Sequence, residues 1–275
     1  MKNLIIRRLQ RAMLLVAILF PLSSADADSF VSNDAKLDYE VQGTGAAVFI
    51  LHGGLTSRED LRLLIEHLAK NYQVVALDSR EHGKSSNSTL QISYELMASD
   101  VQNLAAHLGL TDITVIGQSD GGITALTTAL TKPALVARLI LIGASFSHVI
   151  IPKASKEYLI STQWPIEMDR TNFPGKFLDD YLKGGRKMQD YQPWFGKLAR
   201  MWTTSPHYTT EELGTVKAPT LVVNGDHEDV PLAHTTALFE ALPNAQLFIV
   251  PGASHFLHTE KPELLHQAIS RFLAE

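Results

Sequence analysis

The 275-residue sequence contains no cysteine. That excludes disulfides, thiolate nucleophiles and cysteine-ligated zinc or iron–sulfur centres. Charge is sparse, at 19% of residues, and the net charge is −5, without the basic excess that nucleic-acid binding uses. There is no G-x-G-x-x-G, no P-loop and no helical H-E-x-x-H pattern, and His227-Glu228-Asp229 is too compact for the last of these. The sequence thus calls for no cofactor and no metal. It also lacks internal repeats and low-complexity stretches. Its N-terminal apolar run, Ala12 to Phe20, falls short of the roughly 20 residues that span a bilayer.

That run has a context of its own. Lys2, Arg7, Arg8 and Arg11 precede it, Pro21 breaks it, and Ala25-Asp26-Ala27 offers small residues for scission. Basic, apolar and small-residue segments in this order predict a cleaved signal over residues 1–27 and export to the periplasm or medium. The signal carries four basic residues and one acidic residue, so its loss moves the net charge from −5 to −8. No stable membrane insertion follows, and the sequence is silent on oligomeric state. Arg7-Arg8 is a weak twin-arginine pair, leaving the export route open.

Residues 28–275 read as one α/β domain. Short apolar runs (Val48–Leu51, Val74–Leu77, Ile113–Ile116, Leu139–Ile142, Thr220–Val223, Leu247–Val250) alternate with helical spacing. Continuously apolar strands between helices predict a mostly parallel sheet covered on both faces. In such sheets ligands bind beyond the carboxyl ends of the strands, so chemistry belongs in the turns that follow them. Residues 144–213 break the rhythm and hold 11 of the 21 aromatics, with all three Trp. They predict a helical cap inserted between two strands, some of its aromatics lining a pocket for a small, partly apolar molecule.

Gly117-Gln118-Ser119-Asp120-Gly121 follows one strand and opens a helix, the setting a nucleophile elbow requires. Ser119 is the candidate nucleophile; the alternative is a turn serine capping the helix. A serine at its free pKa needs a base. Among 11 histidines, His255 follows the last strand at the proper edge. His52 sits in a glycine loop and suggests loop ordering, and His258 is a pocket or supporting group. His67, His107, His234 and His266 fall in helices. The acid that orients the base belongs to the turn Asn224–Pro231, where Asp226, Glu228 and Asp229 compete. Two backbone N–H groups must face the developing oxyanion. Those of Asp120 and Gly54 are favoured, with Leu55 next. Asp120 is unusual beside a nucleophile. Its carboxylate either directs substrate charge or turns onto backbone or solvent.

Together these pieces resemble an α/β-hydrolase of the serine-hydrolase superfamily. His52-Gly53-Gly54, Asp78–Ser85, the Ser119 elbow, the acidic turn and Gly252–His255 run in family order from about residue 37. Asp78–Ser85 is similar to the family's D-x-R-G-x-G-x-S loop, with Glu81 where Gly is usual, a departure that alters the loop's backbone without touching the chemistry. The resemblance implies a Ser–acid–His triad whose acid is Glu228 or the adjacent Asp229, the register pointing to Glu228. It implies esterase, lactonase, carbon–carbon hydrolase or cofactor-free perhydrolase chemistry, and argues against branches with an Asp nucleophile. A non-catalytic binding protein of the same fold is the remaining alternative.

Overall fold

The computed structural model describes residues 26–161 and 176–275. The basic and apolar parts of the expected signal, and the aromatics Trp164 and Phe173, lie outside the described residues. Eight strands form one sheet: β1 (Asp26–Ser32), β2 (Ala35–Gln42), β3 (Ala47–Leu51), β4 (Gln73–Leu77), β5 (Ile113–Gln118), β6 (Val136–Ile142), β7 (Thr220–Gly225) and β8 (Ala245–Val250). Their order is β1-β2-β4-β3-β5-β6-β7-β8. The six strands from β3 to β8 pair in parallel, while β1 and β2 form an antiparallel hairpin whose second strand runs antiparallel to β4.

Sequence reading misses that hairpin because its strands are not continuously apolar. In β2, Leu37 and Tyr39 are buried and alternate with Lys36 and Asp38, as in an antiparallel strand with one wet face. Glu40, also buried, is held there by Arg62 and Arg58. The expected scission after Ala27 falls at the second residue of β1.

The core follows from the two-residue side-chain period of a strand. In β3, Phe49 and Leu51 point into one apolar cluster and Val48 and Ile50 into the other; in β4, Val75 and Leu77 oppose Val74 and Ala76 in the same way. The first cluster is covered by α2 (Tyr94–His107) and α3 (Asp120–Thr131), the second by α1 (Arg62–Leu68) and the closing helix Pro262–Leu273. Ser93 caps α2 by accepting from the Leu96 N–H at 3.2 Å. Because β3 and β5 are buried on both faces, trimming Ile50 or Ile116 to Ala would cost roughly 2–5 kcal/mol.

Between β6 and β7 the described chain is helical, with α4 (Lys153–Ile160) and segments at Lys176–Lys183, Tyr191–Thr204 and Thr210–Leu213. Tyr181, Tyr191 and Trp194 pack on one another, at ring-centroid separations of 4.7 to 5.6 Å. Ion pairs tie these helices to the sheet domain: Lys176 to Asp60 at 2.6 Å and Lys197 to Glu81 at 2.7 Å. Glu81 has φ +64°, left-handed backbone that glycine adopts readily and other residues rarely do. Its buried carboxylate, bound by Lys197 and the Ser88 N–H, holds it there.

Candidate active site

The site is assembled by turns that leave the carboxyl ends of β3, β5, β7 and β8. After β5 the chain must turn sharply into α3, and Ser119 takes φ +53° and ψ −119°. A non-glycine residue there carries strain of about 1–3 kcal/mol. Two glycines make it possible. A Cβ on Gly117 would overlap the carbonyl of Gly121, and a Cβ on Gly121 would overlap the carbonyl of Leu51. The Ser119 N–H donates to Ile142 O at 2.8 Å, pinning the elbow to β6. The hydroxyl stands at the N-terminus of α3, where the helix dipole favours negative charge.

After β8, His255 lines the same cavity as Ser119. Its Nδ1 meets Glu228 Oε1, and the Glu228 side chain is fully buried. The carboxylate therefore selects the tautomer with hydrogen on Nδ1, leaving Nε2 a lone pair on the cavity side. Burial pulls the His255 pKa down, but the hydrogen bond and charge of Glu228 outweigh it, with help from Asp229 and Asp120, and the net direction is up from 6.5. The Gln118 amide lies 3.4 Å from His255 Nε2 and donates to the His255 carbonyl at 3.3 Å.

The three acids of the β7 turn separate by contact. Asp226 accepts from the N–H groups of Gly252 (2.7 Å) and Ala253 (3.3 Å), so it binds the β7 turn to the β8 turn. Glu228 meets His255. Asp229 is exposed at the cavity rim, and it is its backbone N–H, at 3.1 Å from Glu228 Oε1, that touches the pair. His258 does not line the cavity; its Nε2 contacts Asp60 at 2.8 Å. His67 and His266 stack on each other at 4.5 Å.

The loop after β3 carries Gly54 and Leu55 to the cavity wall. Buried His52 orders it: its Nδ1 lies 2.7 Å from Gly53 O, and its Nε2 accepts from the Ser79 N–H at 3.0 Å. Those two partners require a neutral ring, and burial holds its pKa below 6.5. Leu55 has φ +64°, a second strained non-glycine residue beside the elbow.

The cavity has a volume of about 340 Å³, with Ile123, Ile150, Phe177 and Trp202 among its apolar walls. Of the described cap aromatics, Phe177 and Trp202 reach it and most others pack elsewhere. Asp120 does neither thing the sequence offered as its bland role. Its carboxylate is buried, turned from solvent and backbone, and accepts from Tyr94 Oη at 2.7 Å and Trp202 Nε1 at 2.8 Å. Gln118 and Tyr94 were absent from the expected site, and Trp202 was expected only as one of the cap aromatics, not as a partner of Asp120. Gln118 lies inside the motif, but spacing does not say where its amide points; the other two come from distant segments.

The sequence pattern of the family described as "alpha/beta hydrolase fold" matches residues 46–164. A diacylglycerol lipase specific for the sn-1 position, from Danio rerio, is 28% identical over 284 residues, covering 92% of this chain and 87% of its own. A non-heme haloperoxidase of Rhodococcus erythropolis is 26% identical over 272 residues, covering 88% and 97%. In structure, an esterase of Thermogutta terrifontis superposes with a TM-score of 0.72 at 24% identity, covering 91% of this chain and 98% of that one.

Proposed function

The chain belongs to the α/β-hydrolase-fold family, and from that premise we propose that it is a serine hydrolase for small, partly apolar carboxylic esters, lactones or related acyl compounds. Ser119 Oγ attacks the acyl carbon while His255 Nε2 takes its proton. Glu228 holds the Nδ1–H and stabilises the imidazolium that forms. The N–H groups of Asp120 and Gly54 receive the oxyanion. His255 then protonates the leaving alcohol, and a water activated by the same nitrogen releases the acid from the acyl-enzyme. The observation that carries this reading is the His255–Glu228 pair opening onto one cavity with the strained Ser119 elbow. The esterase and lipase names among the relatives support hydrolysis, and the apolar cavity supports a small substrate over a polymer.

A fluorophosphonate probe tests it. Wild type should label on one residue, Ser119, and Ser119→Ala should not label. An unlabelled wild type under native conditions overturns the proposal and favours a non-catalytic binding protein. A 4-nitrophenyl ester panel set against a vinylogous diketone and a perhydrolysis assay separates ester cleavage from the other chemistries of the fold. Export is part of the same proposal and rests on the N-terminal pattern. The N-terminal sequence of the protein recovered from its native host should begin at Asp28.

A further inference from the structure

The carboxylate of Asp120 poses an electrostatic problem. It is buried, its two partners, Tyr94 and Trp202, are neutral donors, and no Lys or Arg pairs with it among the described residues. Other buried carboxylates here have cations: Asp100 has Arg80, Asp78 has Arg58, and Glu81 has Lys197. A buried charge without a counter-ion costs several kcal/mol. Burial pulls the Asp120 pKa up; the hydrogen bonds from Trp202 and Tyr94, with the nearby rings of His255 and His52, offset part of that, and the net direction is still up from 3.8.

Its position sharpens the problem. Asp120 Oδ2 lies 2.5 Å from where a Cβ on Gly54 would stand, so the carboxylate sits beside the loop proposed to receive the oxyanion and a side chain there would collide with it. Negative charge there opposes the negative charge that develops in acyl transfer, and the opposition grows toward the transition state. The cationic charge that the cavity itself develops is the His255 imidazolium, which Glu228 already binds. Asp120 and Asp229 both line it, and no Lys or Arg does among the described residues. The cap cation Lys156 is bound to His148 Nδ1 at 2.7 Å.

We propose that the missing counter-ion comes with the substrate: Asp120 is a specificity-determining residue that selects acyl groups bearing an ammonium close to the scissile carbonyl, such as α-amino acyl esters. The inference rests on the serine-hydrolase reading and names its substrate class. The ammonium does not react. It sits between the Asp120 carboxylate and the developing oxyanion, so its stabilisation increases as that charge forms and appears in kcat as well as KM. Anionic acyl groups meet two carboxylates and are excluded.

The test compares three benzyl esters that differ at one position: L-phenylalanine (ammonium), 3-phenylpropanoate (hydrogen) and the half-ester of benzylmalonate (carboxylate). Wild type should prefer the ammonium ester over the neutral one by about 10- to 100-fold in kcat/KM, the range of a charge-assisted hydrogen bond. It should scarcely turn over the anionic one. Asp120→Asn should bring the ammonium-to-neutral ratio to within about threefold of unity. Equal wild-type rates on the ammonium and neutral esters overturn the proposal, as does a ratio that survives Asp120→Asn. If Asp120→Asn does not fold, inhibition of wild type decides: phenethylamine must bind at least about tenfold more tightly than phenethyl alcohol, and equal binding overturns the proposal. Fluorophosphonate labelling of wild-type Ser119 keeps the two readings apart. Labelling without ammonium preference sinks the substrate class alone; no labelling sinks the hydrolase.

Discussion

Two histidines three residues apart each lean on a carboxylate, and they do different things. His255 meets Glu228 through Nδ1 and shows its other nitrogen to a cavity that also holds Ser119. His258 meets Asp60 through Nε2 at 2.8 Å, its own Nδ1 is buried without a partner, and Asp60 also binds Lys176 of the cap at 2.6 Å. The chemistry of the pairs is the same. What differs is where the second ring nitrogen points and whether a nucleophile stands there. On the proposed function, the first pair moves a proton. The other clamps the helix Lys176–Lys183 to the sheet domain.

Substitution of the acids separates the two most widely. Glu228→Gln keeps the shape of the orienting side chain but no longer fixes the tautomer, and kcat on a 4-nitrophenyl ester should fall by about 10³–10⁴-fold with thermal stability nearly intact. Asp229→Asn, next in the chain and exposed, should change kcat on the same neutral ester by less than about fivefold. Equal losses in the two variants would mean that the contact with His255 is not what matters. Asp60→Asn should invert the pattern. It leaves Lys176 and buried His258 without their carboxylate, and urea unfolding should report a loss of roughly 1–3 kcal/mol while kcat stays within about threefold of wild type. A kcat loss as large as that of Glu228→Gln would place Asp60 in the chemistry and erase the distinction.

Proton linkage gives the next contrast. The base must be neutral, and Glu228 raises the His255 pKa above 6.5, so kcat/KM should fall as pH drops through a midpoint above 6.5. In Glu228→Gln that midpoint should move down. Stability responds to other groups. His82 is held at about 3 and His234 at about 4, chiefly because burial disfavours their charged forms. Their folded pKa values lie below the unfolded value of 6.5, so the folded state binds fewer protons. Stability is full above 6.5 and declines steadily as pH falls toward those values. Activity should therefore be lost at a higher pH than structure, and near-ultraviolet circular dichroism should stay native where the acid limb of kcat/KM is already half descended. Coincident transitions would mean that the rate profile reports unfolding.

Much of this was legible in the sequence, and the limits have physical causes. Buried parallel strands announce themselves as apolar runs, and the elbow announces itself through glycines that sterics demand, so Ser119 and the edge bearing His255 follow from local pattern. The β1–β2 hairpin did not, because Lys36, Asp38 and Glu40 interrupt its apolar positions and the ion pairs that bury Glu40 come from Arg58 and Arg62. The acidic turn by itself left Asp226, Glu228 and Asp229 open, and only the register of the resembling family pointed to Glu228, because local sequence does not say which carboxylate faces His255. His258 was read as a pocket or supporting group because Asp60, nearly 200 residues away in the chain, carries no local mark of its partner. Asp120 was conspicuous by type, yet Tyr94 and Trp202, which bury it, belong to α2 and the cap.

Glu81 gives the smallest expected effect and the finest division between clamp and catalyst. It stands where the related loop carries glycine, adopts φ +64°, and binds Lys197 of the cap at 2.7 Å. Glu81→Gly relieves a left-handed side-chain cost of about 1–2 kcal/mol. It also deletes a buried carboxylate and frees a Lys197 side chain that is about a third exposed, a loss of similar size and opposite sign. Net stability should change by less than about 1 kcal/mol. Cap mobility should increase all the same, because the relieved strain is local to the loop whereas the lost contact spans the two regions. Hydrogen exchange should quicken in Tyr191–Thr204 and stay unchanged in β5, and KM for an apolar ester should rise more than kcat falls. A cap that exchanges as slowly in Glu81→Gly as in wild type would assign the clamping to Asp60 and leave Glu81 as a residue kept in place by Lys197 rather than holding it.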